Sequence, residues 1–282
     1  MSAGTSFGEV RRFAELDSTN RYLLDEARAG APAGLVVVAG HQTAGRGRLG
    51  RRWEAPAGAN LLVSVLLRPR LAVEELHLCS VVMALAARTA CARTADVEAR
   101  LKWPNDLLVG EKKIGGILAE SVADSVADGA GPPTKSGPAR RAVVVGLGLN
   151  VAWPAPEGQP GLVPPTVPAD EGTAPTGGLG AASSLWRESV RRPEPAELLT
   201  VLLAELDLRL GELESAEGRR RLVAEYRGCC ESLGRQVMVI LPGERLTGSV
   251  VDISVEGHLL VDVGVCIRTI TAGDIVHLRA GP

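Results

Sequence analysis

The chain has 282 residues, of which 45% are hydrophobic and 23% charged, so it holds enough apolar material for a folded core. Its formal net charge is −2, from 31 basic and 33 acidic residues, which argues against binding nucleic acid over most of its surface. The five cysteines lack Cys-x-x-Cys spacing, so we expect reduced thiols and neither a disulfide framework nor a zinc cluster.

The first residues show neither the apolar segment nor the cleavage pattern of a secretion signal. No uninterrupted apolar run has the length that crosses a membrane. We therefore expect a cytoplasmic protein that does not contact a membrane.

Strands and helices alternate irregularly along the first two thirds of the chain. Ser18 can cap a helix that continues through 22–29. Apolar runs then predict two buried strands and a helix, at 35–39, 60–67 and 73–94. A hairpin turning at Gly110 and a further strand follow, at 107–109, 114–118 and 142–151.

The remaining segments are of three kinds. Two stretches rich in Pro and Gly, 122–141 and 154–180, predict a flexible insertion and a long loop. Amphipathic helices are expected at 194–213 and 217–230. From Ser232 onward, five short β-type runs separated by turns predict a small barrel. The pattern predicts an α+β fold: a mixed, mainly antiparallel sheet with helices in residues 1–231, and the barrel in 232–282.

A loop rich in glycine and arginine lies between the first two predicted strands. Residues 45–50 formally match Gly-x-Gly-x-x-Gly, but Pro56 and Gly58 follow where a dinucleotide site needs a helix. The loop carries four arginines within seven residues and no acid: Arg46, Arg48, Arg51 and Arg52. Guanidinium groups bind carboxylates and phosphates bidentately, so the loop suits an anionic ligand; a solvated basic turn is the alternative.

The predicted hairpin carries a second candidate cluster. Lys102–Asp106 leads into its first strand, and Lys113 begins the second. Strict alternation would place Lys113, Gly115 and Ile117 on one face. Consecutive glycines in a strand mark a close approach to the backbone, so an anionic ligand can lie there beside Lys113. Asp106 flanks the same hairpin, and an exposed hairpin with an ordinary lysine is the alternative.

Together these segments resemble the biotin protein ligases. The resemblance rests on motifs in the family's order, which here read Ser18-Thr19-Asn20, Gln42 to Arg48, Trp53, Lys102-Trp103-Pro104-Asn105-Asp106, Lys113 to Leu118, and Gly146 to Asn150. It implies a catalytic domain like those of class II synthetases and an SH3-like C-terminal barrel. It also implies that biotin and ATP form biotinyl-5′-AMP, and that the biotinyl group then passes to a lysine of a carboxylase's biotin carboxyl carrier domain.

The resemblance also implies site residues and Mg²⁺ as the metal, with its ligands unknown. Biotin would be bound by Ser18, Thr19, Asn20, Gln42, Arg46, Gly47, Arg48, Lys113, Gly115 and Gly116. The nucleotide would be contacted by Arg46, Arg48, Trp53, Lys113 and Asn150. The catalytic groups would be Lys113, Arg48 and Asp106, with Asp106 either orienting the acceptor lysine or helping to hold Mg²⁺.

Two other functions stay open at this point. A lipoate or octanoate ligase would use the same arginine loop and lysine, although the motif pattern favours biotin. A non-catalytic biotin-binding module or repressor is the alternative of another class. The stretch before Ser18 is too short for the family's DNA-binding domain, so we expect no DNA partner and a monomer or weak homodimer.

Overall fold

A seven-stranded mixed sheet organises most of the chain in a computed structural model that describes residues 6–123, 141–156 and 182–278. The spatial order is β1-β2-β3-β7-β6-β5-β4. β1 and β2 run parallel, and the other neighbouring pairs are antiparallel. The strands are β1 (Glu9–Leu16), β2 (Leu35–Gln42), β3 (Leu61–Leu67), β4 (Arg100–Lys102), β5 (Asp106–Val109), β6 (Lys112–Ala123) and β7 (Arg141–Leu149).

Helices cover both faces of this sheet. They are α1 (Thr19–Arg28), α2 (Leu78–Ala95), α3 (Leu185–Glu188), α4 (Pro195–Leu213) and α5 (Ala216–Gly228). On one face α1 buries Leu23 and Leu24 against a small cluster of strand residues that includes Val144. On the other face α2, α4 and α5 form the main core, to which the neighbouring Val143 contributes. Successive β7 residues therefore point to opposite faces, as strand geometry requires.

The core helix α2 belongs to a stretch, Val73–Ala95, that is long and apolar enough to cross a membrane by length and composition alone. Most of that stretch is buried inside the protein. Packing of α2 against the sheet, α4 and α5 accounts for its apolar residues all round.

A second, five-stranded antiparallel sheet follows α5, in the order β11-β10-β9-β8-β12. Its strands are β8 (Gln236–Leu241), β9 (Glu244–Ile253), β10 (Leu259–Asp262), β11 (Ile267–Ile270) and β12 (Asp274–His277). The two sheets confirm the predicted α+β class with its small C-terminal β unit.

A hydrogen-bonded chain attaches the C-terminal sheet to the Lys102–Asp106 segment. The backbone N–H of Trp103 donates to Ser232 Oγ at 3.2 Å, and Ser232 Oγ lies 3.0 Å from His277 Nε2. The indole N–H of Trp103 also donates to the carbonyl of Gly257. The Ser232 hydroxyl thus links the Lys102–Asp106 segment to the ring of His277.

This chain predicts acid sensitivity. Burial, with the charges of Lys102 and Arg235, lowers the pKa of His277 to about 4 from an ordinary 6.5. Between pH 6.5 and 4 the unfolded chain therefore binds more protons at this residue, so stability falls as the pH drops through that window. We expect His277→Gln, which keeps an acceptor for Ser232, to remove about 2 kcal/mol of this loss.

Urea unfolding at pH 7 and pH 4.5 measures the effect, with the surface replacement His41→Gln as control. Equal acid sensitivity of the wild type and His277→Gln would contradict the assignment.

Two features of the larger sheet differ from expectation. Neither β1 nor β4 was predicted, and β1 is an edge strand whose residues are largely exposed, so it lacks the alternation of buried apolar residues that marks a strand. The flexible insertion predicted at 122–141 gives way to β6 and β7 at its two ends, and 124–140 lies outside the described residues. Most of the long loop predicted at 154–180 lies outside them as well.

Candidate active site

A cavity of about 420 Å³ lies on the face of the central sheet that carries α1. One side is closed by β8 and β12 of the C-terminal sheet. All predicted site residues except Gly115 line the cavity. The lining residues among them are Ser18, Thr19, Asn20, Gln42, Arg46, Gly47, Arg48, Trp53, Asp106, Lys113, Gly116 and Asn150.

One end of the cavity is a buried polar network at the start of α1. Ser18 caps the helix by accepting from the N–H of Arg21, as predicted. The next two side chains are held from several directions. Gln42 Oε1 accepts from the N–H of Thr19 at 2.8 Å, and Ser64 Oγ donates to Asn20 Oδ1 at 2.6 Å. Such fixed donors and acceptors suit a ligand that presents both kinds of group.

Asn20 reaches across to β6. Its Nδ2 donates to the carbonyl of Leu118 at 3.1 Å and to Glu120 Oε2 at 3.0 Å. Gly146 on β7 lies directly beneath it, since a Cβ at that position would stand 2.1 Å from Asn20 Oδ1. Glycine is therefore required at this position for Asn20 to hold its place.

The middle of the cavity is a strip of glycine backbone under an indole ring. A Cβ on Gly148 would lie 2.5 Å from the Trp53 ring, and one on Gly116 would lie 3.2 Å from it. The Nε1 atom of Trp53 is buried and has no hydrogen-bond partner among the described residues. A buried donor without a partner is costly, which makes it a candidate contact for a ligand.

Lys113 stands beside this strip with Asp106. Its Nζ donates to Asp106 Oδ1 at 2.5 Å and lies 5.5 Å from the centre of the Trp53 ring. Both charged side chains are only partly exposed. The pair places a positive and a negative group at the same point of the cavity. If Lys113 moves to another partner, the carboxylate of Asp106 is left free to bind a ligand.

A β-bulge decides which side of β6 faces the cavity. Leu107 pairs with Gly115 and Leu108 with Lys113, so Ile114 is an extra residue between them. Lys113 and Gly116 consequently share the cavity face, and the strict alternation expected for this strand is wrong. Gly115 instead faces Leu107 and Leu149. A Cβ at this position would lie 3.2 Å from the carbonyl oxygen of Gly148 and from Leu149 Cδ1.

The arginine loop folds over the cavity, and acids hold its side chains. Arg46 pairs with Glu120 at 3.0 Å. Arg48 pairs with Asp274 of β12 at 3.0 Å, and Arg51 binds the same carboxylate. Leu49 between them has φ 53°, a left-handed conformation that a bulky side chain adopts only under constraint. The loop is thus anchored to both sheets while its guanidinium groups line the cavity.

Asn150 lines the cavity and also makes hydrogen bonds that hold its wall together. Its Oδ1 accepts from Asn60 Nδ2 at 3.0 Å, and its Nδ2 donates to the carbonyl of Ser183 at 2.9 Å. These bonds fix the turn after β7, next to Trp153. The amide is therefore positioned firmly but is already committed to protein partners.

Sequence reasoning assigned no role to three residues that shape the cavity. Ser64 joins Thr19 to Asn20, Asp274 holds two loop arginines, and Lys102 lines the cavity while only 5% exposed. The sequence could have pointed to Lys102 as a site residue, because it belongs to the Lys102–Asp106 motif. The other two pair with residues more than forty positions away in the chain, and local patterning does not reveal such pairs.

No group of three or more His, Cys, Asp or Glu side chains that could hold a metal ion occurs in the ranges 6–123, 141–156 and 182–278.

Comparison with known proteins shows to which families the chain is similar. Residues 13–130 match the Biotin/lipoate A/B protein ligase family, and residues 232–278 match the Biotin protein ligase C terminal domain. The biotin–[acetyl-CoA-carboxylase] ligase of Mycobacterium tuberculosis is 34% identical over 285 residues, covering 99% of this chain and 92% of that protein. A ligase of the same name from Paracoccus denitrificans is 41% identical over 159 residues, covering 54% of this chain and 59% of that protein.

A solved structure shares the fold. The biotin protein ligase of Aquifex aeolicus in complex with biotin and ATP superposes with a TM-score of 0.71 at 24% identity, over 97% of this chain and 100% of that one. The fold is thus that of the wider biotin and lipoate ligase group. Within that group, the chain belongs to the biotin protein ligase family.

Proposed function

We propose that this protein activates biotin with ATP and attaches it to a lysine of a biotin carboxyl carrier domain. The observation that carries the proposal is the single cavity in which a buried polar network at one end faces Lys113 and the loop arginines. The name of the M. tuberculosis relative supports acetyl-CoA carboxylase as the source of the acceptor.

The first step joins two anions. A carboxylate oxygen of biotin attacks the α-phosphorus of ATP, the bond to the bridging oxygen breaks, and pyrophosphate leaves with the electron pair. Lys113 neutralises the carboxylate and the α-phosphate as they meet, and Arg48 leaves Asp274 to bind phosphate. Fixed positive charge that meets charge developing in the transition state is the main source of acceleration in such a step.

Biotin lies along the glycine strip with its ring in the polar network. Thr19, Asn20 and Gln42 then pair with the ureido N–H and C=O groups, while Ser18 holds the start of α1. Gly116 and Gly148 give the tail room, and Gly115 supports the strip from the core side. Arg46 and Gly47 close over the ligand with the rest of the loop.

The nucleotide occupies the region between Trp53 and Asn150. The unpaired indole N–H of Trp53 gives it a donor there, and the Asn150 amide shapes the pocket. Mg²⁺ bound to the ATP phosphates would supply further charge neutralisation for the departing pyrophosphate.

The second step, transfer of the biotinyl group to the acceptor lysine, uses Asp106. When Lys113 turns to the phosphate, Asp106 becomes free to accept a hydrogen bond from the amine of the acceptor lysine. The neutral amine nitrogen attacks the acyl carbon, AMP leaves with the bridging oxygen and the electron pair of the broken bond, and the nitrogen loses one proton to solvent, so that an amide remains.

The same proposal covers the organisation of the protein. Residues 1–231 form the catalytic domain and 232–282 the C-terminal domain, which supplies Asp274 to the site. We place the protein in the cytoplasm, as a monomer or weak homodimer that binds neither DNA nor a membrane.

Mass spectrometry of the purified protein tests the proposal. The protein is given MgATP with biotin and lipoate together, and the acyl-adenylates are identified. Biotinyl-AMP as the sole adenylate supports it. Lipoyl-AMP would assign the chain to lipoate chemistry, and absence of both adenylates would leave a binding module.

A further inference from the structure

Lys102 is a largely buried lysine that takes no part in the reaction proposed for this protein. It ends β4 and is 5% exposed, and its side chain lines the cavity. Within the described part of the chain its Nζ makes no hydrogen bond or ion pair, and it is not among the fully enclosed polar atoms there that lack a partner, so it opens on the cavity. Even partial burial of an ammonium group is costly, and residues kept at such a cost are characteristic of functional sites.

The acids near Lys102 already have partners. Asp106, its cross-strand neighbour in β5, is bound by Lys113, and Asp274 is bound by Arg48 and Arg51. Lys102 is therefore a positive charge in excess of the local acids. Burial lowers its pKa to about 8; the charges of Asp106 and Asp274 oppose this shift, and those of Lys113 and Arg51 add to it. Because Lys113, Arg48 and Arg51 already bind these two acids, cations outnumber acids around Lys102.

The position of Lys102 indicates which anion. Asp106 lies between Lys102 on β4 and Lys113 on β6, so the two lysines form one basic region. Lys113 adjoins Trp53 and the glycine strip, while Lys102 adjoins Asp274 and His277 on the side of the C-terminal sheet. An anion that begins at Lys113 and continues away from the strip reaches Lys102.

We propose that Lys102 binds the β- and γ-phosphates of ATP and stabilises pyrophosphate as it leaves. This inference rests on the proposed function, in which Lys113 meets the α-phosphate. The electron pair of the broken bond goes to the pyrophosphate oxygen, and the ammonium group of Lys102 meets that charge. Lys102 is then specific for ATP and pyrophosphate and contributes nothing to holding the adenylate.

Lys102→Met tests the assignment, since it keeps the length of the side chain and removes the charge. We expect it to weaken binding of α,β-methylene-ATP and of inorganic pyrophosphate by about 10- to 100-fold, the loss expected for one charged hydrogen bond. Binding of a non-hydrolysable biotinyl-adenylate analogue, and transfer from added biotinyl-AMP, should change by less than about 3-fold. Lys102→Arg should recover part of the ATP affinity.

Lys112→Met is the matched control. Lys112 is close by in sequence, but it lies on the surface paired with Glu188 and does not line the cavity. The Lys112→Met variant should bind α,β-methylene-ATP, pyrophosphate and the adenylate analogue, and transfer biotin from biotinyl-AMP, as the wild type does. Lys102→Met should also unfold at a higher temperature than the wild type, because it removes a largely buried charge that makes no hydrogen bond among the described residues.

Three results would overturn the inference: unchanged affinity for the ATP analogue, equal weakening of the ATP and adenylate analogues, or a loss confined to transfer from biotinyl-AMP. The last would make Lys102 a base for the acceptor amine. Each is distinct from failure of the proposed function, in which the wild type itself forms no biotinyl-AMP.

Discussion

Replacing Lys113 with alanine is expected to slow biotinyl-AMP formation by about 10²- to 10³-fold, the effect of removing one group that stabilises transition-state charge. Biotin affinity should change by less than about 3-fold, because the ring end of the cavity is unaltered. The reason is that Lys113 contacts Asp106 and the Trp53 ring and takes no part in the hydrogen bonds of the network around Asn20. Single-turnover adenylate formation and equilibrium biotin binding measure the two quantities.

Lys112→Ala provides the control, since that side chain makes a surface ion pair. Thermal unfolding of both variants checks that the fold is intact. Equal losses in biotin binding and adenylate formation would mean that Lys113 contacts the ground state and does not act specifically in the transition state.

Replacing Gly146 with alanine is expected to have the opposite pattern. The new methyl group would stand 2.1 Å from Asn20 Oδ1, and Asn20 cannot yield easily because it is bonded to Ser64, Leu118 and Glu120. Displacing its amide misplaces two hydrogen-bonding groups of the ring site. We expect biotin affinity to fall by about 100-fold or more.

Titration calorimetry with biotin measures this loss, and α,β-methylene-ATP binding should stay within about 3-fold of the wild type. Gly211→Ala is the matched control, because a Cβ at that helical position meets nothing within 4 Å. Normal biotin binding by Gly146→Ala would show that biotin's ring does not occupy the Asn20 network.

Local patterning was sufficient for most elements of the fold. The core helix α2, the strands β2, β3 and β7, and the run of five short strands after Ser232 all follow from apolar spacing and turns. It failed at β1, where an edge position removes the buried face that produces the pattern. Edge strands are defined by their neighbours, and β1 is recognised only once β2 is in place beside it.

The bulge in β6 shows the limit of patterning inside the site. Lys113 and Gly116 line the same cavity, although simple alternation would put them on opposite faces. A single extra residue, Ile114, brings them to the same face. Which residue is extra depends on pairing with β5, so the sequence of β6 alone does not determine it.

The charges of the site were the least predictable part. The arginines of the loop were identified from composition, but their partners Glu120 and Asp274 come from β6 and from the C-terminal sheet. Lys102 is likewise buried close to Asp274 and His277 of the C-terminal sheet. Such groups become visible only when distant segments are assembled.

The most direct test of the central claim follows the oxygen atoms of biotin. Biotin labelled with ¹⁸O at both carboxylate positions is given to the wild-type protein with MgATP and a biotin carboxyl carrier domain, and the products are weighed by mass spectrometry. Attack on the α-phosphorus predicts AMP carrying one ¹⁸O, with the other in the new amide. Unlabelled AMP, or label in inorganic phosphate released with ADP, would contradict an adenylate formed in this cavity.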